Sequence, residues 1–293
     1  MTHKAGFVNI IGHPNVGKST LMNSLMGEKL SIITPKAQTT RHRILGIVNG
    51  DDYQIVYSDT PGIVKPHYKL HDSMMKFVQT ALQDADVFVY LSEVGESSFD
   101  TEVIEKIRNS GKPLLFVINK VDTITPMEVE GKVNYWQEQF PSAVIIPISA
   151  KLNFNVDRIS TEVLRLLPEN PPYFPKDDEL SDRPLRFFVS EIIREKIFLL
   201  FKQEIPYSAE VVVDSYKEKT DIVAIGATVF VERETQKAII LGHKGAAIKK
   251  LGILARKDIE AFIGHRVYLE LSIKVSSDWR ENENQLKRFG YEF

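Results

Sequence analysis

Gly12-His13-Pro14-Asn15-Val16-Gly17-Lys18-Ser19 follows an apolar run, Phe7 to Ile11, and precedes a helix-like run, Thr20 to Met26. The stretch fits the pattern G-x-x-x-x-G-K-[ST] in the strand–loop–helix setting where that pattern has physical meaning. Glycines let the backbone turn so that successive N–H groups point at phosphate oxygens. The helix that follows adds the partial positive charge of its N-terminus. In such a loop Lys18 reaches the β- and γ-phosphates and Ser19 ligates Mg²⁺. A phosphate-binding loop from Gly12 to Thr20 is therefore expected at the end of a first strand.

Three more motifs stand at strand ends. Gln54 to Ser58 delivers Asp59-Thr60-Pro61-Gly62, with Ile63 next. An acidic residue there holds Mg²⁺ through water, and the Gly62 N–H can approach a γ-phosphate and rearrange when it leaves. Leu114 to Ile118 ends in Asn119-Lys120-Val121-Asp122, and Val144 to Ile148 ends in Ser149-Ala150-Lys151. These last two choose the base. Guanine offers two donors on one edge, and the Asp122 carboxylate accepts both. Adenine would leave that carboxylate unpaired, which disfavours an ATPase. Asn119 is expected to tie the base edge to the loop framework. Lys120 would lay its aliphatic stem along the ring, and the Ala150 N–H would donate to the guanine keto oxygen.

At 293 residues the chain exceeds a typical single domain, and 43% apolar residues suffice for buried cores. The sequence has no cysteine, which excludes disulfides and a thiolate metal site and is compatible with a reducing cytosol. Met1 to Gly6 leads straight into a strand without a signal-peptide pattern. No apolar run approaches the ~20 residues of a membrane span. A net charge of −2 does not point to nucleic acid, but it averages over two regions, roughly +3 from Arg183 onward against −5 before it.

Residues 1–167 alternate strand-like and helix-like segments. That pattern implies an α/β domain with a mostly parallel sheet and its ligands at the carboxyl edge. Val87 to Leu91 is a continuous apolar run, as expected of a strand covered on both faces. Residues 168–184 read as a linker. Pro168 to Pro175 cannot hold a helix, and Lys176 to Pro184 is charged and aperiodic. Residues 185–293 form the second domain. Val189, Ile192, Ile193, Ile197 and Leu200 recur at helical spacing. Glu210 to Val213 and Ile222 to Val231 read as strands. A helix carrying Ile248, Leu251 and Ile259 precedes a strand that alternates from Val267 to Val275. The order α-β-β-α-α-β is that of an α+β KH (type II) domain. Gly242-His243-Lys244-Gly245 opens a helix, as does the loop by which a KH domain clamps a single-stranded backbone. Lys244 and Lys249 supply charge. Ile248 begins an apolar groove for bases, expected between that helix and the strand at Ile222 to Val231.

Over essentially its whole length the chain resembles the Era family, bacterial GTPases with a C-terminal KH domain. The resemblance rests on the phosphate loop, on Gln38-Thr39-Thr40-Arg41-His42-Arg43-Ile44, on the Asp59, Asn119 and Ser149 motifs, and on Ile240 to Gly245 with Ile248-Lys249. It implies hydrolysis of GTP to GDP and phosphate, and binding near the 3′ end of small-subunit ribosomal RNA. It also implies a part in maturation of the small ribosomal subunit, in the cytoplasm with some peripheral association at the inner membrane face. No lipid anchor or basic amphipathic helix explains that association. A monomer is expected. The alternative is a GTPase whose KH-like domain docks a protein partner or a membrane surface.

Asn15, Lys18, Thr40 and Gly62 are the residues expected to act on the transferred phosphoryl group, with Ser19, Thr40 and Asp59 around Mg²⁺. Ile63 stands where Ras-like enzymes carry a water-orienting glutamine. In related GTPases without that glutamine, an asparagine at the place of Asn15 ligates K⁺; Asn15 either does this or stabilises the loop turn. Thr40 is preferred over Thr39 as the switch threonine. Arg41 and Arg43 read as solvated switch or RNA-contacting charges.

Overall fold

β1 (Lys4–Ile11), β3 (Tyr53–Asp59), β4 (Val87–Glu93), β5 (Leu114–Asn119) and β6 (Val144–Pro147) grow from the five apolar runs, and β2 (Ile44–Asn49) joins them. The six strands lie in the order β2-β3-β1-β4-β5-β6. All neighbours are parallel except β2 and β3. That exception, which the apolar pattern does not announce, has a local cause. The Gly50 N–H donates to the Tyr53 carbonyl at 2.9 Å and closes a short turn, and so short a connection permits only antiparallel pairing. Helices α1 (Lys18–Met26), α2 (Lys69–Asp84), α3 (Thr101–Ser110) and α4 (Pro126–Gln139) connect the strands, and α5 (Asp157–Leu166) follows the last of them. Their ends are marked in the sequence. The Asp100 side chain accepts from Val103 N at the start of α3, and Thr125 and Glu128 form a capping box on α4. In one of the buried clusters beside the sheet Phe116 stacks on Phe140, and Trp136 lies tilted against both.

The computed structural model describes residues 3–177 and 179–292. Met1, Thr2, Asp178 and Phe293, which belong to the expected domain and linker ranges, lie outside the described residues. The chain divides into two compact units, the first taking residues up to Ser31, 40–65 and 74–182. The stretch expected to be a linker, 168–184, thus packs with the first unit as far as Asp182. Prolines keep it from being a helix, but it finds partners along the sheet. Ala5 N–H donates to Pro168 O, Tyr173 and Phe174 N–H both donate to Gln54 Oε1, and Ile47 N–H donates to Leu180 O.

The second unit runs from Arg183 and takes in 32–39 and 66–73. It contains α6 (Leu185–Leu200), the single turn α7 (Ile205–Ser208), β7 (Glu210–Glu218), β8 (Val223–Val231), α8 (Glu234–Leu241), α9 (Ala246–Ile263), β9 (Val267–Val275) and α10 (Glu283–Arg288). The expected α-β-β-α-α-β order is present, extended by α7 and α10. β8 lies between antiparallel β7 and parallel β9. A parallel pair needs a crossover, and α8, the 242–245 loop and α9 are that crossover. Ile193, Ile225, Ile240, Leu251 and Ile259 share its core. Segment 32–39 is held by its own polar groups: Lys36 Nζ donates to the Phe198 and Phe201 carbonyls at the C-terminal end of α6.

Candidate functional site

The four nucleotide motifs stand at the carboxyl ends of β1, β3, β5 and β6. In the phosphate loop Gly17 has φ +101° and caps α1, and a Cβ there would meet Asn119 Nδ2 at 2.4 Å, so only glycine fits. Lys18 is buried; its Nζ donates to Gly12 O at 3.0 Å and His13 O at 2.8 Å. Burial lowers its pKa to about 8, against the pull of Asp59 and Glu96.

Ser19 Oγ donates to Asp59 Oδ2 at 2.7 Å and lies 2.8 Å from Thr40 Oγ1. The three residues assigned to Mg²⁺ from sequence therefore converge. Asp59 is fully buried, its Oδ1 has no hydrogen-bond partner among the described residues, and burial raises its pKa despite Ser19 and Lys18. An unpaired buried carboxylate oxygen beside two hydroxyls fits a hard divalent cation with oxygen ligands and retained waters. Thr39 is directed elsewhere, with Oγ1 on Thr34 Oγ1 and Lys36 O. Thr60 Oγ1 donates to Ile10 O, and Ile63 N–H donates to Gly12 O, which fixes the Asp59–Gly62 segment on the phosphate loop. Asn15 is exposed in the left-handed region at φ +65°.

Asn119 joins the motifs. Its Nδ2 donates to Val16 O at 2.8 Å and its Oδ1 accepts from Ala150 N at 3.0 Å. The Ala150 N–H, expected to donate to the guanine keto oxygen, donates here to the Asn119 side chain. Val121 is buried as a spacer, Asp122 and Lys151 are exposed, and Lys120, at φ +66°, pairs with Glu93. Ser149 closes the last loop by accepting from Leu152 N.

Arg41 and Arg43 are not solvated. Both are buried, and Arg43 grips Asp84 with two nitrogens at 2.6 and 3.0 Å, Ser58 Oγ at 2.7 Å and Asn9 Oδ1 at 3.1 Å. The Arg43 charge that suggested an RNA contact is consumed by strand and helix partners that no local pattern reveals. Sequence reasoning also missed Glu96, which accepts from His13 Nδ1 at 2.8 Å.

In the second unit Gly242 ends α8 and Gly245, at φ +79°, caps α9. An added Cβ at Gly245 meets nothing within 4 Å, so the backbone faces open space. His243 and Lys244 are exposed between them. A groove of about 350 Å³ runs beside α9, lined by Ile248, Lys249, Ile253 and Arg256 of the helix and by Leu269 and Leu271. Its strand is β9, not the expected Ile222 to Val231. β8 is the central strand, and edge strand β9 is left beside the helix. Tyr268, 59% exposed, stands at the margin. The sequence pointed to neither Tyr268 nor Arg256.

These sites define the class: a P-loop protein with a guanine-nucleotide pocket, carrying a KH module. Residues 7–120 match the family described as 50S ribosome-binding GTPase, and residues 204–280 match the KH domain family. The chain is 39% identical to Era in a crystal structure with MgGDPNP and nucleotides 1506–1542 of 16S ribosomal RNA, covering 99% of this chain and 100% of that one, with a TM-score of 0.94. It is 38% identical to a variant of Aquifex aeolicus Era bound to GDP and AlF4⁻, over 99% and 100% of the two chains, with a TM-score of 0.93. The chain belongs to the Era family of GTPases.

Proposed function

We propose that this protein hydrolyses GTP with Mg²⁺ and binds single-stranded RNA near the 3′ end of small-subunit ribosomal RNA, assisting maturation of that subunit. The convergence of Ser19, Thr40 and the unpaired Asp59 oxygen beside the Lys18 ammonium carries the nucleotide half of this reading. Mg²⁺ would be held by the Ser19 and Thr40 hydroxyls, and by Asp59 through water, and supplies neutralisation of phosphate charge. Lys18 adds a second positive charge from a buried position where electrostatic interactions are strong. Gly62 reports the γ-phosphate through its N–H. Asp122 selects guanine, and Lys120 covers the ring. Ile63 offers no hydrogen bond to the attacking water. Asn15 would hold K⁺, which would supply positive charge beside the phosphates, and hydrolysis is then expected to be faster in KCl than in NaCl at equal ionic strength.

Phosphates of the RNA lie at Gly242 to Gly245, with Lys244 and Lys249 as counter-charges and bases in the groove between α9 and β9. The protein works as a monomer in the cytoplasm, where its RNA is. Among the described residues no helix is long and apolar enough to cross a membrane. The test has two arms. GTP turnover is followed with and without Mg²⁺, and a purine-containing single strand is titrated against the matching duplex in fixed salt. Mg²⁺-independent turnover or a preference for the duplex would overturn the corresponding half.

A further inference from the structure

β4 ends between the two halves of the nucleotide site. In the order β1-β4-β5 its neighbours carry the phosphate loop on one side and Asn119-Lys120-Val121-Asp122 on the other. Its last residue, Glu93, lies in register with Asn119, the last residue of β5. No sequence motif marks Glu93, yet its carboxylate pairs with the Lys120 ammonium through Oε2. Lys120 reaches it from a left-handed backbone at φ +66°, one residue beyond the strand. The two strand ends are also tied through the backbone, since Val94 N–H donates to Asn119 O at 3.2 Å. Glu93 is itself held in place. Its N–H donates to Glu96 Oε2 at 3.2 Å, and Glu96 N–H donates to Glu93 O at 2.9 Å and closes the turn.

We propose that Glu93 is a positioning residue for guanine: it anchors the Lys120 ammonium at the end of β4, so that the aliphatic stem of Lys120 is set for the base ring before nucleotide arrives. This rests on the guanine reading of Asp122 and divides the pocket into two tasks. Asp122 reads the donors on the base edge. Lys120 meets the face of the ring, which adds affinity without reading the edge. A lysine stem has many rotamers, and ordering it during binding subtracts from affinity. An anchor at its tip removes that loss in advance. The exposures fit an anchor and not a buried stabilising pair, at 40% for the Lys120 side chain and 31% for that of Glu93. A pair so open to solvent adds little to folding, but it still selects one conformation of the lysine. The neighbouring cation of α4 is engaged elsewhere, with Lys132 Nζ donating to Glu96 O at 3.1 Å. Glu93 touches neither base nor phosphate in this reading and acts only through Lys120.

The experiment is calorimetric titration of the full chain with GDP and with inosine diphosphate, Mg²⁺ present. Inosine diphosphate keeps the ring face and lacks the exocyclic amine that Asp122 accepts. The proteins are the wild type, Glu93→Met, Glu93→Gln, Lys120→Met and the double variant Glu93→Met with Lys120→Met. Glu93→Met removes the acceptor and weakens GDP binding about tenfold; Glu93→Gln, which keeps an oxygen acceptor without the charge, weakens it about threefold. Both nucleotides weaken by the same factor, so the ratio of their affinities stays at the wild-type value. Lys120→Met keeps an unbranched stem without its anchor and weakens GDP as Glu93→Met does, and the double variant is no weaker than either single one. If Glu93→Met fails to fold, Glu93→Gln takes its place in the comparison. An affinity of Glu93→Met within about twofold of wild type, an additive double variant, or a changed ratio between the two nucleotides would overturn the anchor. A wild type that binds ADP as tightly as GDP would overturn the guanine reading instead.

Discussion

The Asn119 side-chain amide donates to the Val16 carbonyl oxygen across 2.8 Å, fastening the base motif to the phosphate loop. The same side chain accepts from Ala150 N, so one residue pins two loops. Asn119→Ala leaves the buried Val16 carbonyl without its partner. The expected cost is about 1–3 kcal/mol of stability. The expected loss of GDP affinity is about tenfold or more. Denaturant unfolding and GDP titration check both, and an affinity within about twofold of wild type would remove the framework role.

Lys18 gives the pH dependence of nucleotide binding a definite sign. Burial lowers its pKa to about 8, and a phosphate beside it favours the ammonium. Below that value binding moves no proton at Lys18; above it binding must take one up, and affinity falls toward about tenfold per pH unit. Calorimetry of GDP binding near about pH 9, in buffers of different ionisation heat, reads the uptake directly. The His13→Gln background removes the other titrating group of the loop. Buffer-independent heats there would contradict the assignment.

Arg43 is expected to matter for folding and not for RNA. Arg43→Met strips charge and hydrogen bonds from Asp84, Ser58 and Asn9, at an expected cost of about 2–4 kcal/mol. RNA affinity of the protein that remains folded stays at the wild-type level. A stable variant with weakened RNA binding would return Arg43 to the interface.

The 168–182 segment sets where the first unit can be cut. A fragment ending at Asp182 keeps the bonds to Ala5, Gln54 and Ile47, whereas one ending at Leu167 loses them all. The longer fragment is expected to bind GDP and to melt several degrees higher than the shorter one. Equal melting temperatures would make the segment a passive linker after all.

Gly245 stands at φ +79° before open space. Gly245→Asp places a carboxylate where RNA phosphate approaches and is expected to lower single-strand affinity at least about tenfold, more than Lys244→Ala. Lys244→Ala weakens all sequences alike and reduces the salt slope by about one phosphate contact. Circular dichroism and the thermal melt of the full chain, unchanged in both, show that the second unit is folded. Undiminished RNA affinity in Gly245→Asp would place the RNA elsewhere.

The nucleotide motifs were legible because each is short and local. Eight consecutive residues, Gly12 to Ser19, carry the glycines, the lysine and the helix start that a phosphate loop requires. Asp59, Asn119 and Ser149 follow apolar runs that become strands sharing one edge. The KH order and the 242–245 loop were legible from periodicity for the same reason. What stayed hidden depends on partners distant in the chain. Arg43 looked like a loop cation until Asp84, Ser58 and Asn9 met it. The proline-rich segment looked like a linker because its partners are backbone groups of β1 and β2 and the Gln54 amide on β3, which leave no periodic trace. The groove fell to β9 because β8 is the middle strand of its sheet. Nothing in the sequence beside His13 names Glu96. Helices, turns and loops follow from torsional preferences and apolar spacing within a few residues. The pairing of buried charges and the choice of the strand that borders a groove follow from sheet order, which exists only once the whole chain has closed its cores.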